Sequence, residues 1–189
     1  MKTLFCLILT AFTIGAVRAA EEATPEVVAK RQIEAMRQLN WELVARYTHP
    51  KALAQMQSLF IPVAIAGSAA KDNPAAEEMM RIVFAGKTAD QLSSMSPAAF
   101  FEIVMQGISG ATPDFKNAMS AMEVQILGNV KEGENQVHIV YRLSRTLGDG
   151  VATKIAITTV ERDGEQWKAL LNTDLENVAR AISSRLQKP

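Results

Sequence analysis

The spacing of apolar residues changes once along this chain, near Met122, and that change limits the folds open to it. Before it, apolar residues recur three and four apart, as on helices that bury one face. After it, they alternate, as in strands that pack on one side. Helices first and strands after predict an α+β domain, in which an antiparallel sheet buries one face against a block of helices.

Proline divides the first part. Five of the seven prolines follow a turn-forming residue, in Thr24-Pro25, His49-Pro50, Asn73-Pro74, Ser96-Pro97 and Thr112-Pro113. At the first helical position a proline loses nothing, because its missing N–H would have no partner there. The Thr, Asn or Ser before it can cap the next free amides. For His49-Pro50 the capping oxygen is expected from Thr48. Thr88-Ala-Asp-Gln91 reads as a capping box, and Gly86 and Gly110 as helix stops. One helix is expected from Pro25 to Tyr47, with Ile33, Met36, Leu43, Val44 and Tyr47 on its apolar stripe. A second starts at Pro50 and carries Leu53, Met56 and Phe60, and Pro62 should bend or end it. Two more are expected from Pro74 to Ala85 and from Pro97 to Gly107.

In the second part, Val137, Ile139, Tyr141 and Leu143 share one face of a strand, and Gln136, His138 and Arg142 the other. Neighbouring strands are expected at Glu123 to Ile126, Ala152 to Val160 and Gln166 to Leu171. The joints are Lys131 to Asn135, Gly148-Asp-Gly150 and Asp163-Gly164, the last two being strong hairpin signals. An amphipathic helix with Leu175, Val178, Ala181, Ile182 and Leu186 on one face should run from Thr173 to about Leu186. The expected fold is therefore N-terminal helices, a four-stranded antiparallel meander and a C-terminal helix.

The chain opens on Met1-Lys2, runs apolar from Leu4 to Val17 and reaches small residues at Ala19 and Ala20. This is the pattern of a secretory signal peptide, residues 1–19, leaving a single domain over residues 20–189. The apolar run is too short and interrupted to span a bilayer, and Cys6 sits too early to be a lipid anchor. Cleavage removes Cys6, the only cysteine, so the mature domain holds no disulfide and no thiolate. It also removes Lys2 and Arg18, leaving 18 of the 20 Lys and Arg against 20 Asp and Glu. A surface this close to neutral argues against a nucleic-acid groove. With 48% apolar residues the chain can build a core without disulfides. No Asn-x-Ser/Thr sequon occurs. These features favour a bacterial periplasmic or secreted protein, with no stable membrane span once the signal is cut.

Trp41-Glu-Leu-Val-Ala-Arg-Tyr-Thr-His-Pro50 resembles the helix and turn that open many exported members of the nuclear transport factor 2-like superfamily. Thr159 to Lys168, with Trp167 just after the Asp-Gly turn, is similar to their closing hairpin. The resemblance implies a curved sheet cupping helices, often around a pocket. It departs from the family in lacking a clear strand between the early helices and in adding helices between Pro74 and Met122. Catalytic members of that superfamily place an Asp, His or Tyr inside the cup. Here the inward set is nearly all apolar, and Tyr141 is its one polar tip.

The chemistry is sparse. His49 and His138, the only histidines, are read as two surface imidazoles with no spacing for a metal site. No nucleotide, zinc-protease or nucleophile-elbow motif occurs. The methionines lie among Leu and Phe as core fillers rather than as a copper site. No cofactor is expected. Trp41, Tyr47, Tyr141 and Trp167 are the candidates to line a ligand pocket, and each also suits a core position. Three readings follow. The first is a non-enzymatic domain that binds a small molecule or an envelope protein, with a homodimer through the outer sheet face. The second is an isomerase- or hydrolase-like enzyme using Tyr141 with a helical carboxylate such as Asp174. The third is an envelope structural or stress protein. N-terminal sequencing of the protein purified from a bacterial periplasm should read Ala-Glu-Glu, starting at Ala20, or Glu-Glu, starting at Glu21; a start at Met1 would refute the signal peptide.

Overall fold

The structure is a computed structural model that describes residues 23–70, 72–111, 114–147 and 150–171, with 177 and 179. The expected signal segment, Thr112-Pro113, Gly148-Asp149, Asp174 and nearly all of the expected C-terminal helix lie outside the described residues. Among them the order is α1 (Pro25–Arg37), α2 (Trp41–Tyr47), α3 (Pro50–Ala69), α4 (Pro74–Val83), α5 (Ala89–Ser93), α6 (Pro97–Gly110), α7 (Phe115–Ser120), then β1 (Glu123–Glu132), β2 (Gln136–Leu147), β3 (Gly150–Asp163) and β4 (Gln166–Ala169). The strands form one antiparallel sheet in chain order. The α+β meander predicted from the change in spacing is thus present.

The caps act locally. Pro25, Pro50, Pro74 and Pro97 each open a helix, and Thr24, Asn73 and Ser96 accept from the amides that follow. Thr88 and Gln91 form the reciprocal capping box. Three expectations are corrected. The helix from Pro25 to Tyr47 is two helices: Leu39 turns left-handed at φ 54°, Asn40 N donates back to Ala35 O, and Asn40 Oδ1 accepts from Leu43 N to start α2. Pro62 neither ends nor interrupts α3, because it is exposed and the carbonyl it leaves without a helical donor belongs to exposed Ser58, within reach of water. The cap of α3 is His49 itself, whose Nδ1 accepts from Lys51 N at 3.1 Å.

Two apolar clusters hold the fold. The larger lies among the helices, around Trp41, Met56, Phe60, Phe84, Leu92, Phe100, Phe101 and Val104, all 4% exposed or less. Each such side chain contributes roughly 1.5–3 kcal/mol by leaving water. Here α6 crosses α4 so closely that a Cβ on Gly107 would lie 2.3 Å from Ile82 O. The smaller cluster joins α1 to the sheet through Val28, Ala29, Val137, Ile139 and Val160. Helix α1 serves both, since Ala35 and Met36 near its end belong to the larger one. By length and mean hydropathy (1.3) α3 would suffice to cross a membrane. Its Leu53, Met56, Phe60, Val63, Ala64 and Gly67 are nevertheless buried, as on a core helix.

A buried polar knot ties the two layers. Gln32 Nε2 donates to Thr48 Oγ1 at 2.9 Å, and that hydroxyl donates to Val44 O at 2.8 Å. Thr48 pairs in parallel with Ala169 of β4, and His49 N donates to Ala169 O at 2.8 Å. In place of a regular strand between the early helices there is this one-residue bridge. Thr48→Val would leave the Gln32 amide without its acceptor in the interior. Urea denaturation should show a loss of about 1–3 kcal/mol, partly recovered by adding Gln32→Leu. No change in the midpoint would mean that water satisfies the amide.

Candidate interaction surface

The four aromatic candidates do not converge. Trp41 is buried in the helical cluster, edge-on to Phe101 at 6.5 Å, with Nε1 donating to Ser109 Oγ. Tyr47 and Trp167 each pack at the rim of the α1–sheet cluster, and the Arg162 guanidinium lies 4.5 Å from the Trp167 ring centre. Tyr141 sits farther along the inner sheet face, two residues past buried Ile139. Burial raises its phenol above the ordinary tyrosine value. Around it Val124, Ile126, Leu143 and Ala156 are half-buried.

Of the two histidines, only His138 lies on an outer face. Its Nδ1 is 3.0 Å from Thr159 Oγ1 and its Nε2 is 2.6 Å from Glu132 Oε2. His49, read from the sequence as a surface imidazole, is buried, because its ring folds back to cap α3. Among the described residues no three His, Cys, Asp or Glu side chains gather as a metal site would require. A shallow depression of about 330 Å³ opens at the end of α3, beside Glu77, Met80 and Lys87. Of the two hydroxyl residues that line it, Ser68 and Thr88, the second is already committed to the capping box.

The outer sheet face is less ordinary. Register places Val130, Val140, Ile155, Ile157 and Val151 on the face turned away from α1. Val130, Val151, Ile155 and Ile157 are between 52% and 67% exposed. Scattered apolar residues on a surface need no explanation, but a group of β-branched ones on one sheet face calls for one. Val151, Ile155 and Ile157 lie where β2 and β3 run on as an arm beyond β4, which pairs only with Val160 to Asp163, whereas Val130 lies on β1 opposite His138. The sequence hid this. On β3 the outward set includes Ile155 and Ile157, whereas the inward set holds Lys154, Ala156 and Thr158, so alternation alone points the wrong way. Only the register against β2, where Ile139 faces Thr158 and Tyr141 faces Ala156, assigns the faces.

No protein-family model, curated protein or solved structure matches this chain.

The environment of Tyr141 has a measurable consequence. With its pKa raised on folding, the phenol is neutral in both states below about pH 10, the ordinary tyrosine value. As pH rises past that value the unfolded chain ionises first, and folding stability falls. Tyr141→Phe should flatten that decline in denaturation midpoints between about pH 9 and 11, and an unchanged slope would place the phenol in open water.

Proposed function

We propose that this is an exported, non-enzymatic binding domain of the bacterial periplasm or envelope, and that it engages a protein partner through the arm formed by β2 and β3. The observation that carries the reading is the set of exposed β-branched residues Val151, Ile155 and Ile157 on β3, with Val130 on β1, on a face that no described helix covers. The nuclear transport factor 2-like resemblance agrees with a helix, α1, lying across one face of an antiparallel meander. The scatter of Trp41, Tyr47, Tyr141 and Trp167 over three places weighs against a shared ligand pocket. A second reading is small-molecule binding on the inner face, favoured by half-buried Val124, Tyr141 and Leu143, which lie outside the α1–sheet cluster.

A photoreactive benzoylphenylalanine at Ile157, compared with one at exposed Glu78 on α4, tests the first reading in intact cells. A discrete protein adduct from position 157 and none from position 78 is the expected result. Adducts from neither position, or equally from both, would refute docking through the arm.

A further inference from the structure

The arm has an open edge as well as an open face. In an antiparallel strand the N–H and C=O of one residue point to the same side, and successive residues alternate. Arg162 N donates to Asn135 O, so the even residues of β3 point toward β2. Leu170 N donates to Thr159 O, so the odd ones point the other way. Strand β4 occupies that second side only from Val160 to Asp163, with Leu170 adding one bond. The backbone groups of Val151, Thr153, Ile155 and Ile157 therefore face an edge roughly 20 Å long on which no described residue is paired.

Folded proteins block such edges, and this one blocks its others. Strand β1 has a bulge between Ile126 and Gly128 and carries Lys131. The free side of β4 is taken by Thr48 and His49. The open stretch of β3 has no proline and no break in its register with β2. It is also mainly basic. Arg142, Arg145 and Lys154 lie along the arm, and the one acid in the sequence from Arg142 to Ile157 is Asp149 in the turn, outside the described residues. Glu123, opposite Ser144, lies across β2 on β1.

We propose that the β3 edge from Thr153 to Ile157 binds an extended acidic segment of another protein by strand addition. The added strand exchanges main-chain hydrogen bonds with Thr153, Ile155 and Ile157. Its alternate side chains fall into two sets. Those beside Ile155 and Ile157 are apolar, and those beside Lys154 on the opposite face are carboxylates. A second copy fits less well, because antiparallel pairing about Ile155 would bring two Lys154 side chains onto one face, where like charges oppose each other. This inference rests on the docking reading above and narrows it from a face to an edge.

Fluorescence anisotropy on the purified protein tests it with two labelled peptides of about seven residues, one alternating Val with Glu and one alternating Val with Lys. The Val-Glu peptide should bind and weaken with salt, and the Val-Lys peptide should not. Ile155→Pro removes an N–H that faces the vacant edge, where proline is tolerated. It should leave the fold intact by circular dichroism and weaken binding about tenfold or more. Lys154→Glu should reverse the peptide preference. Equal binding of both peptides, or binding untouched by Ile155→Pro, would overturn the proposal. Adducts at Ile157 in cells without peptide binding would overturn the edge and leave the face standing. A dimer in sedimentation velocity that Ile155→Pro abolishes would assign the edge to a second copy instead.

Discussion

The carbonyl of Ala169 is where the two halves of this protein are fastened together. It accepts from His49 N, beside the bridge between Thr48 and Ala169, and Thr48 in turn is held by Gln32 from α1. These groups are buried, so each must find a partner inside the protein or destabilise it. That requirement fixes the turn between α2 and α3 against the last strand. It also positions α1, which bears Gln32, across the sheet. The two apolar clusters supply most of the stabilisation, but they are non-directional. The hydrogen-bonded knot determines how one cluster sits relative to the other.

The turn itself shows how few residues this takes. His49 spends its ring nitrogen on the start of α3 and its backbone N–H on the sheet. Thr48 directs its hydroxyl backward to Val44, at the end of α2. The next residue, Pro50, sets the direction in which α3 leaves. Around the knot, Lys168 Nζ reaches Arg46 O, and Lys51 pairs with Glu161 across the same seam. These outer contacts are solvent-exposed and contribute little. The buried ones define the geometry.

Local signals were legible in the sequence wherever a single residue settles the backbone. The prolines and their caps mark four helix starts, and Thr88 with Gln91 marks a fifth. Alternation along β2 identifies its buried face, with Val137 and Ile139 wholly inside. What escaped were features set by partners distant in the chain. Leu39 adopts a left-handed conformation that an apolar residue does not advertise. Pro62 is tolerated because its face of α3 meets water, and helix faces depend on packing. The outward Ile155 and Ile157 follow from register, which is a property of a pair of strands. The surface was therefore less legible than the core: buried faces repeat in a period, and an exposed apolar face is recognised only once its partner strands are known.

One strand, β3, belongs to two environments at once. Over its last residues it is paired on both sides, and over its first it is paired on one. On the arm, the amides of Ala152, Lys154 and Ala156 lie in the ladder with β2, whereas those of Val151, Thr153 and Ile155 open to water. Within a span of a few residues the backbone alternates between slow and fast exchange of its protons with solvent. The sheet thus carries its own record of occupancy, because any strand added at the edge would convert the fast positions to slow ones and leave the others as they were.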